Sequence, residues 1–296
     1  TVTYTYRKNV QTATISYYDV TTGAEVAIDS AKGPEASVET VEGVYKGTID
    51  FVNREKAIAA LEKAGYTLVE DSYVSATTAD KLFDNDTAVT QNFKVTVKQR
   101  VEPVTPNDEK PVPGQPVDPE NPNDPNRPKP GQPIDPNNPN GPKWTEDLIK
   151  QIDTTRHVNR TIKYVNEKGE EVAKKVTDKV TFTREGKINA VTGEITYGDW
   201  TAKDKDTTFD AVTSPVVKGY ILKDAKQKEV AATTGLTADS KAENIEVVYT
   251  KLSSWVPNVP EGVTPIDTIP YPNYAKDPTK SGNDRPIVPY VPGTTP

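Results

Sequence analysis

The chain of 296 residues has one histidine, His157, and no cysteine, so few of its groups could serve as nucleophile or general base. His157 lies in TTRHVNR (154–160), with no G-x-S-x-G or comparable nucleophile signature around it. No glycine-rich phosphate loop is present. Paired acids occur at Asp84/Asp86 and Asp204/Asp206, but acids two apart in a loop usually cap turns in solvent and do not share a proton. Catalysis is therefore not expected. The same acids raise calcium, a hard cation that takes oxygen ligands. LFDNDT (82–87) offers Asp84, Asn85 and Asp86 as candidate ligands, and KDKDTT (203–208) offers two more, although neither fits the twelve-residue EF-hand spacing. Beyond calcium no cofactor is implied. A Lys–Asn isopeptide cross-link has its ingredients here, but sequence does not bring them together.

The aromatic residues carry a different chemistry. There are 14 tyrosines against 5 phenylalanines, half of them on alternating segments: Tyr4, Tyr6, Tyr17, Tyr18, Tyr164, Tyr197 and Tyr249. A ring with a hydroxyl at its end suits half-buried positions, sugar stacking and protein recognition. Adjacent Tyr17 and Tyr18 must point to opposite faces of a strand.

Two blocks position these residues. Proline divides the chain: 14 of 26 prolines lie in 103–142 and 10 in 257–296. Within block one, TATISYYDVTTGAEV (12–26) is a hairpin; in block two, RTIKYVNEKGEEV (160–172) repeats it. AGYTLVED (64–71) returns as KGYILKDA (218–225), and the blocks close on QNFKVTVKQR (91–100) and ENIEVVYTKL (243–252). Three matches in one order at similar spacing indicate two divergent copies of one β-rich unit. TVTYTYRKN (1–9) resembles the closing strand once more, as the tail of an earlier copy or a strand of block one. Block one adds FVNREKAIAALEKAGY (51–66), with Ala57, Ile58, Leu61 and Ala64 at helical spacing, Asn53 as N-cap and Gly65 as stop. A helix crossing a four- or five-stranded sheet is the β-grasp pattern. Block two has instead a hairpin over 180–200, and TEDLIKQIDTT (145–155) predicts a short helix capped by Thr145.

Between the blocks PGQPVDPENPNDP (113–125) recurs as PGQPIDPNNPNGP (130–142), with proline at nearly every third place. That period matches polyproline II, which has three residues per turn, and predicts a semi-rigid spacer. The expected fold is thus β-rich α+β: two ubiquitin-like β-grasp-type modules, elongated and monomeric, joined by a polyproline II linker. Its divisions are 1–101, a helix-bearing module; 102–143, the spacer; 144–252, the second module; and 253–296, a proline-rich closing segment. A net charge of −7 with no basic stripe argues against nucleic acid, and no apolar run approaches a membrane span.

The stretch RTIKYVNEKGEEV with VTFTREGKINAVTGEITYGDWTAKDKDTTFDAVTSPVVKGY, within 160–220, resembles the repeats of mucus-binding adhesins of lactic-acid bacteria, with TGEITYGDW and FDAVTSP as its specific parts. Block one, with its helix and LFDNDT, is similar to the companion module, and the closing IPYPNYAKDPTKSGNDRPIVPYVPGTTP to the inter-repeat segment. The long duplicated proline spacer departs from that pattern. The resemblance implies a wall-anchored surface protein of many tandem repeats that binds mucin glycoproteins, with immunoglobulins as a second class of partner. It gives no glycan-contacting residue. An acidic chain free of cysteine and punctuated by proline fits the outer surface of a Gram-positive cell, and an abrupt start at Thr1 is expected of a piece of something longer.

Overall fold

The computed structural model describes residues 1–26, 38–104, 128–273, 276–282, 291–292 and 294. It forms two compact units, residues 1–155 with 184–199, and residues 156–183 with 200–296.

Unit 1 is organised by β1 (Gln11–Asp19), whose residues alternate strictly between buried and half-buried, as a strand with one face on a core requires. Ala13, Ile15 and Tyr17 supply that face. β1 pairs antiparallel with β2 (Ala24–Glu25) at one end and β3 (Glu39–Gly43) at the other. Its opposite edge takes β5 (Gln91–Gln99) in parallel, and β4 (Tyr66–Asp71) completes the sheet antiparallel to β5. The helix α1 (Arg54–Lys63) turns buried Ala57 and Leu61 and half-buried Ile58 onto the same core as Ile15, Phe51, Phe93 and Val95. Each fully buried apolar side chain contributes about 1.5–3 kcal/mol by leaving water. Gly65 ends the helix with φ +101°, as the spacing predicts. Asn53 does not cap it: its backbone is helical (φ −98°, ψ −7°), which turns the side chain away from the first-turn amides. A second short helix, α2 (Ser72–Ser75), is capped by Asp71, which accepts Tyr73 N and Val74 N.

Beyond β5 the chain continues as β6 (Val101–Val104), which pairs antiparallel with β9 (Gly186–Asn189); β9 pairs in turn with β10 (Ile195–Tyr197). This hairpin, expected within block two, therefore packs in unit 1. Ile188 and Ala190 join Val104, Ile134, Trp144, Ile149 and Ile152 in a core of their own. The helix α3 (Glu146–Lys150) has Thr145 as cap, its hydroxyl accepting Leu148 N at 3.2 Å.

The spacer expectation changes here. Residues 113–125 lie outside the described residues, but the second proline copy folds into turns. Gly131 N donates to Trp144 O, Ile134 N to Pro142 O, and Trp144 N to Gln132 O, at 2.8–2.9 Å. Polyproline II has no such internal bonds. The reason is local: Ile134 and Trp144 bury themselves, and the Asp, Asn and Gly between the prolines supply turn conformations. Residues 1–10 form no strand and are exposed throughout.

Unit 2 repeats the plan. β7 (Thr155–Asn166) and β8 (Glu171–Thr183) lie side by side, with β11 (Thr201–Ala202) on the outer edge of β8. β15 (Glu243–Lys251) runs parallel to β7, and β13 (Tyr220–Leu222) antiparallel to β15. β12 (Val212–Thr213) pairs with β14 (Glu229–Val230), and β16 (Ser254–Trp255) with β17 (Ile269–Pro270).

The registers show duplication directly. Tyr17 stands opposite Val95 as Tyr164 stands opposite Val247, and Tyr66 opposite Gln99 as Tyr220 opposite Lys251. Arg100 N donates to Gly65 O as Leu252 N donates to Gly219 O, at 3.0 and 2.8 Å.

Candidate functional site

His157 sits on β7 with its Nδ1 3.0 Å from Thr181 Oγ1 of β8, a strand-to-strand contact within the sheet. The acids of LFDNDT fold onto their own backbone. Asp84 Oδ1 accepts Asp86 N and Asp86 Oδ1 accepts Ala88 N, both at 2.9 Å, while Asn85 between them is left-handed at φ 76°. Asp84 also receives Gln11 Nε2 at 3.5 Å. These are successive Asx turns. Asp206 behaves alike, accepting Thr208 N at 3.0 Å. Asp204 and Lys205 just before it are left-handed as well. Among the described residues no group of three or more His, Cys, Asp or Glu side chains is arranged to hold a metal ion.

Tyrosine divides by burial. Tyr17, Tyr164 and Tyr249 are in the cores, at 2% exposure or less. Tyr18 points to the other face from Tyr17, donates to Gly23 O, and carries Lys94 Nζ 4.5 Å from its ring centroid. Tyr197 is fixed at both ends of its hydroxyl, donating to Gln151 O at 2.6 Å and accepting Asp153 N at 3.0 Å, with the Arg184 guanidinium 3.9 Å from its ring centroid. In unit 2 the Arg156 guanidinium lies 4.8 Å from the ring of Trp200, and pairs with Asp239. Tyr4 and Tyr6 are 76% and 89% exposed, and Tyr45 53%. Tyr45 stands at the tip of a short turn: Gly47 N donates to Val44 O at 2.7 Å, and Lys46 N to Phe83 O at 2.9 Å. GVYKG (43–47) follows no alternating or helical pattern, so the sequence carries no local signal for this turn. Exposed aromatic side chains are thus found on unit 1, at Tyr4, Tyr6 and Tyr45, whereas Trp200 of unit 2 is half-buried against the core of Val158, Val180 and Phe209.

Burial sets the acid–base behaviour of the core tyrosines. The Tyr17 phenol is pushed up to about 12, first by burial and then by the carboxylate of Glu39, with a further push from Asp71. Tyr249 is raised further, by burial and by Tyr164. A raised phenol pKa leaves stability intact below pH 10 and removes it as pH climbs towards the folded value, because the unfolded chain releases its proton first. A spectrophotometric titration at 295 nm should show Tyr17 and Tyr249 ionising only together with loss of the far-ultraviolet strand signal, above pH 10. Ionisation of all 14 tyrosines before unfolding would contradict this.

Two family profiles match the chain. Residues 11–99 match the mucin binding domain family and residues 149–253 the Muc B2-like domain family. No curated protein matches it. Among solved structures, the crystal structure of Mub-RV has a similar fold, with a TM-score of 0.52, 24% identity, and coverage of 81% of this chain and 98% of that one. A type 2 repeat of the mucus binding protein MUB from Lactobacillus reuteri is 22% identical over 81% of this chain and 99% of its own, with a TM-score of 0.43. The MucBP domain of an adhesion protein from Pediococcus pentosaceus is 38% identical, covers 32% of this chain and 97% of its own, and has a TM-score of 0.27. The chain belongs to the mucin-binding domain family. No helix among the described residues is long and apolar enough to cross a membrane.

Proposed function

We propose that this chain is a repeat unit of a bacterial cell-surface adhesin, bearing two β-grasp-type modules, that binds the glycans of host mucin glycoproteins multivalently and without catalysis. The observation that carries it is the match of the mucin binding domain profile to residues 11–99 and of the Muc B2-like profile to residues 149–253, two stretches that fold with the same strand registers. A single histidine tied to a threonine, and acids spent on their own turns, support a recognition role over a catalytic one. Weak sites gain strength by linkage: a second contact from the same molecule is made at the effective concentration set by the tether, multiplying affinity by 10²–10⁴. The location that goes with this activity is the outer face of the cell wall.

The test is binding of the monomeric chain to immobilised mucin before and after enzymatic deglycosylation, with immunoglobulin G alongside. Binding abolished by deglycosylation is the expected result. Binding that survives it would move the reading to protein recognition, and capture of immunoglobulin G would say which kind. A folded chain that binds neither would be a stalk.

A further inference from the structure

The sheet of unit 2 ends at β13, and its outer edge is closed by a proline. Leu222 N points away from β15 and donates to Pro278 O at 2.7 Å, while the next amide, Lys223 N, points inward to Val248 O at 2.9 Å. Pro278 is buried. Proline can accept that one bond but has no N–H with which to carry the ladder outward.

Residues 281–282 close back onto 272–273 beside Pro278. Gly282 N donates to Pro272 O at 2.6 Å, and Asn273 bridges Ser281. A β-carbon on Gly282 would lie 2.5 Å from Asn273 O, so closure at this distance requires glycine. Side chains then fasten these residues to the unit. Asn273 Nδ2 donates to Val217 O at 2.6 Å, and Lys228 Nζ meets Asp277 Oδ2 at 3.3 Å. The Asp277 carboxyl is held down at about 2 by the hydroxyl and amide of Thr279, with help from Lys228. Unit 1 uses the same kind of bond: Asn138 Nδ2, from the second proline copy, donates to Glu62 O at 2.6 Å. In each case the accepting carbonyl also takes the amide three residues on, Gly65 N from Glu62 and Tyr220 N from Val217.

We infer that the proline-rich segment around 272–282 is a clasp of unit 2, one that terminates its sheet and keeps the β13 edge from pairing with the strand edge of a second copy of this chain. An open edge of unpaired N–H and C=O groups is a template for another strand, and a second copy carries the same edge. The clasp covers it with an element that cannot be extended.

The experiment uses the full chain with Asn273→Ala and Asp277→Ala together, and Gly282→Ala separately. Amide hydrogen exchange at Leu222 is read against Val247 and Tyr249 in β15, and mass in solution is followed with concentration by light scattering. Leu222 is expected to exchange at least tenfold faster, β15 to stay protected, and mass to rise towards a dimer with concentration. Unchanged exchange at Leu222 in both variants would overturn the clasp. Fast exchange at Leu222 in a chain that stays monomeric at every concentration would overturn its role against edge pairing. Should the double variant lose protection throughout β15, Asn273→Ala alone provides the same readings.

Discussion

Gly65→Ala is expected to destabilise unit 1 by about 3 kcal/mol, whereas Gly219→Ala, at the matching position of unit 2, should cost about 1–2 kcal/mol. Both glycines are left-handed, φ +101° and +79°, and both precede the tyrosine that opens the strand beside the closing one. Backbone strain alone is therefore similar. Their surroundings are not. A β-carbon at Gly65 would lie 2.8 Å from Ala190 C, 2.9 Å from Ala190 O and 3.0 Å from Val191 N, whereas nothing lies within 4 Å of one at Gly219. The obstacles at Gly65 are backbone atoms, and they are held in turn, because Ala190 N donates to Arg100 O while Arg100 N donates to Gly65 O. An alanine must push the end of β9 away or tilt the helix stop, and either breaks that chain of bonds. The readout is hydrogen exchange under increasing denaturant, with β5 amides reporting unit 1 and β15 amides unit 2. The larger change should fall in β5 for Gly65→Ala. Equal losses from the two substitutions would show that strain decides and the contact with Ala190 contributes nothing.

That contact also marks where local sequence stops being informative. The strands β1, β5, β7 and β15 follow from alternation, the helix from Ala57, Ile58 and Leu61 at helical spacing, and the duplication from Gly-Tyr recurring ahead of each closing strand. All of these are patterns within a few residues. The pairing of β6 with β9 joins Val101 to Asn189. No local period specifies a partner so distant, so residues 180–200 were expected to stay within their own block. Proline at every third place posed a different problem. The same spacing serves an extended helix or a string of turns, and the choice fell to Ile134 and Trp144, whose burial is a tertiary matter. The acids of LFDNDT are legible further: acids two apart in a loop predict turn capping over a cation site, and Asp84 and Asp86 each accept the amide two residues on.

The burial of Arg160, by contrast, has no local signal in the sequence. This residue occupies the place on β7 that Ala13 occupies on β1, since Ala13 faces Gln91 as Arg160 faces Glu243. In a strand that reads R-T-I-K-Y, an initial arginine looks like a solvated end. Instead its side chain is 1% exposed. Burying a guanidinium is costly unless its donors are answered; three acceptors answer its two terminal nitrogens here, while the buried Nε has no partner among the described residues. Nη2 donates to Asp210 O at 2.5 Å and to Asp178 Oδ2 at 3.2 Å, and Nη1 to Ala231 O at 3.5 Å. The plane stacks on Phe209, 4.9 Å from its centroid. One side chain thus ties β7 to β8 and to the loops at 210 and 231.

Removing it should cost more than removing its ion partner. Arg160→Ala loses the packing on Phe209 and leaves the carbonyls of Asp210 and Ala231 without this donor, for about 3–4 kcal/mol in unit 2. Arg160→Lys keeps the charge but not the fork, so it cannot reach the three acceptors from one position and should fall near alanine. Asp178 is 39% exposed, so water can take over much of its share, and Asp178→Ala should cost about 1 kcal/mol. Arg160→Met separates the two contributions: it restores volume against Phe209 without any donor, and should recover about half of the alanine loss. Denaturant unfolding followed by β15 exchange, repeated in 1 M salt, gives the order. If Asp178→Ala proved as damaging as Arg160→Ala, and salt weakened the parent but not these variants, the ion pair would be the dominant bond; the geometry instead gives that part to the two carbonyls and the ring.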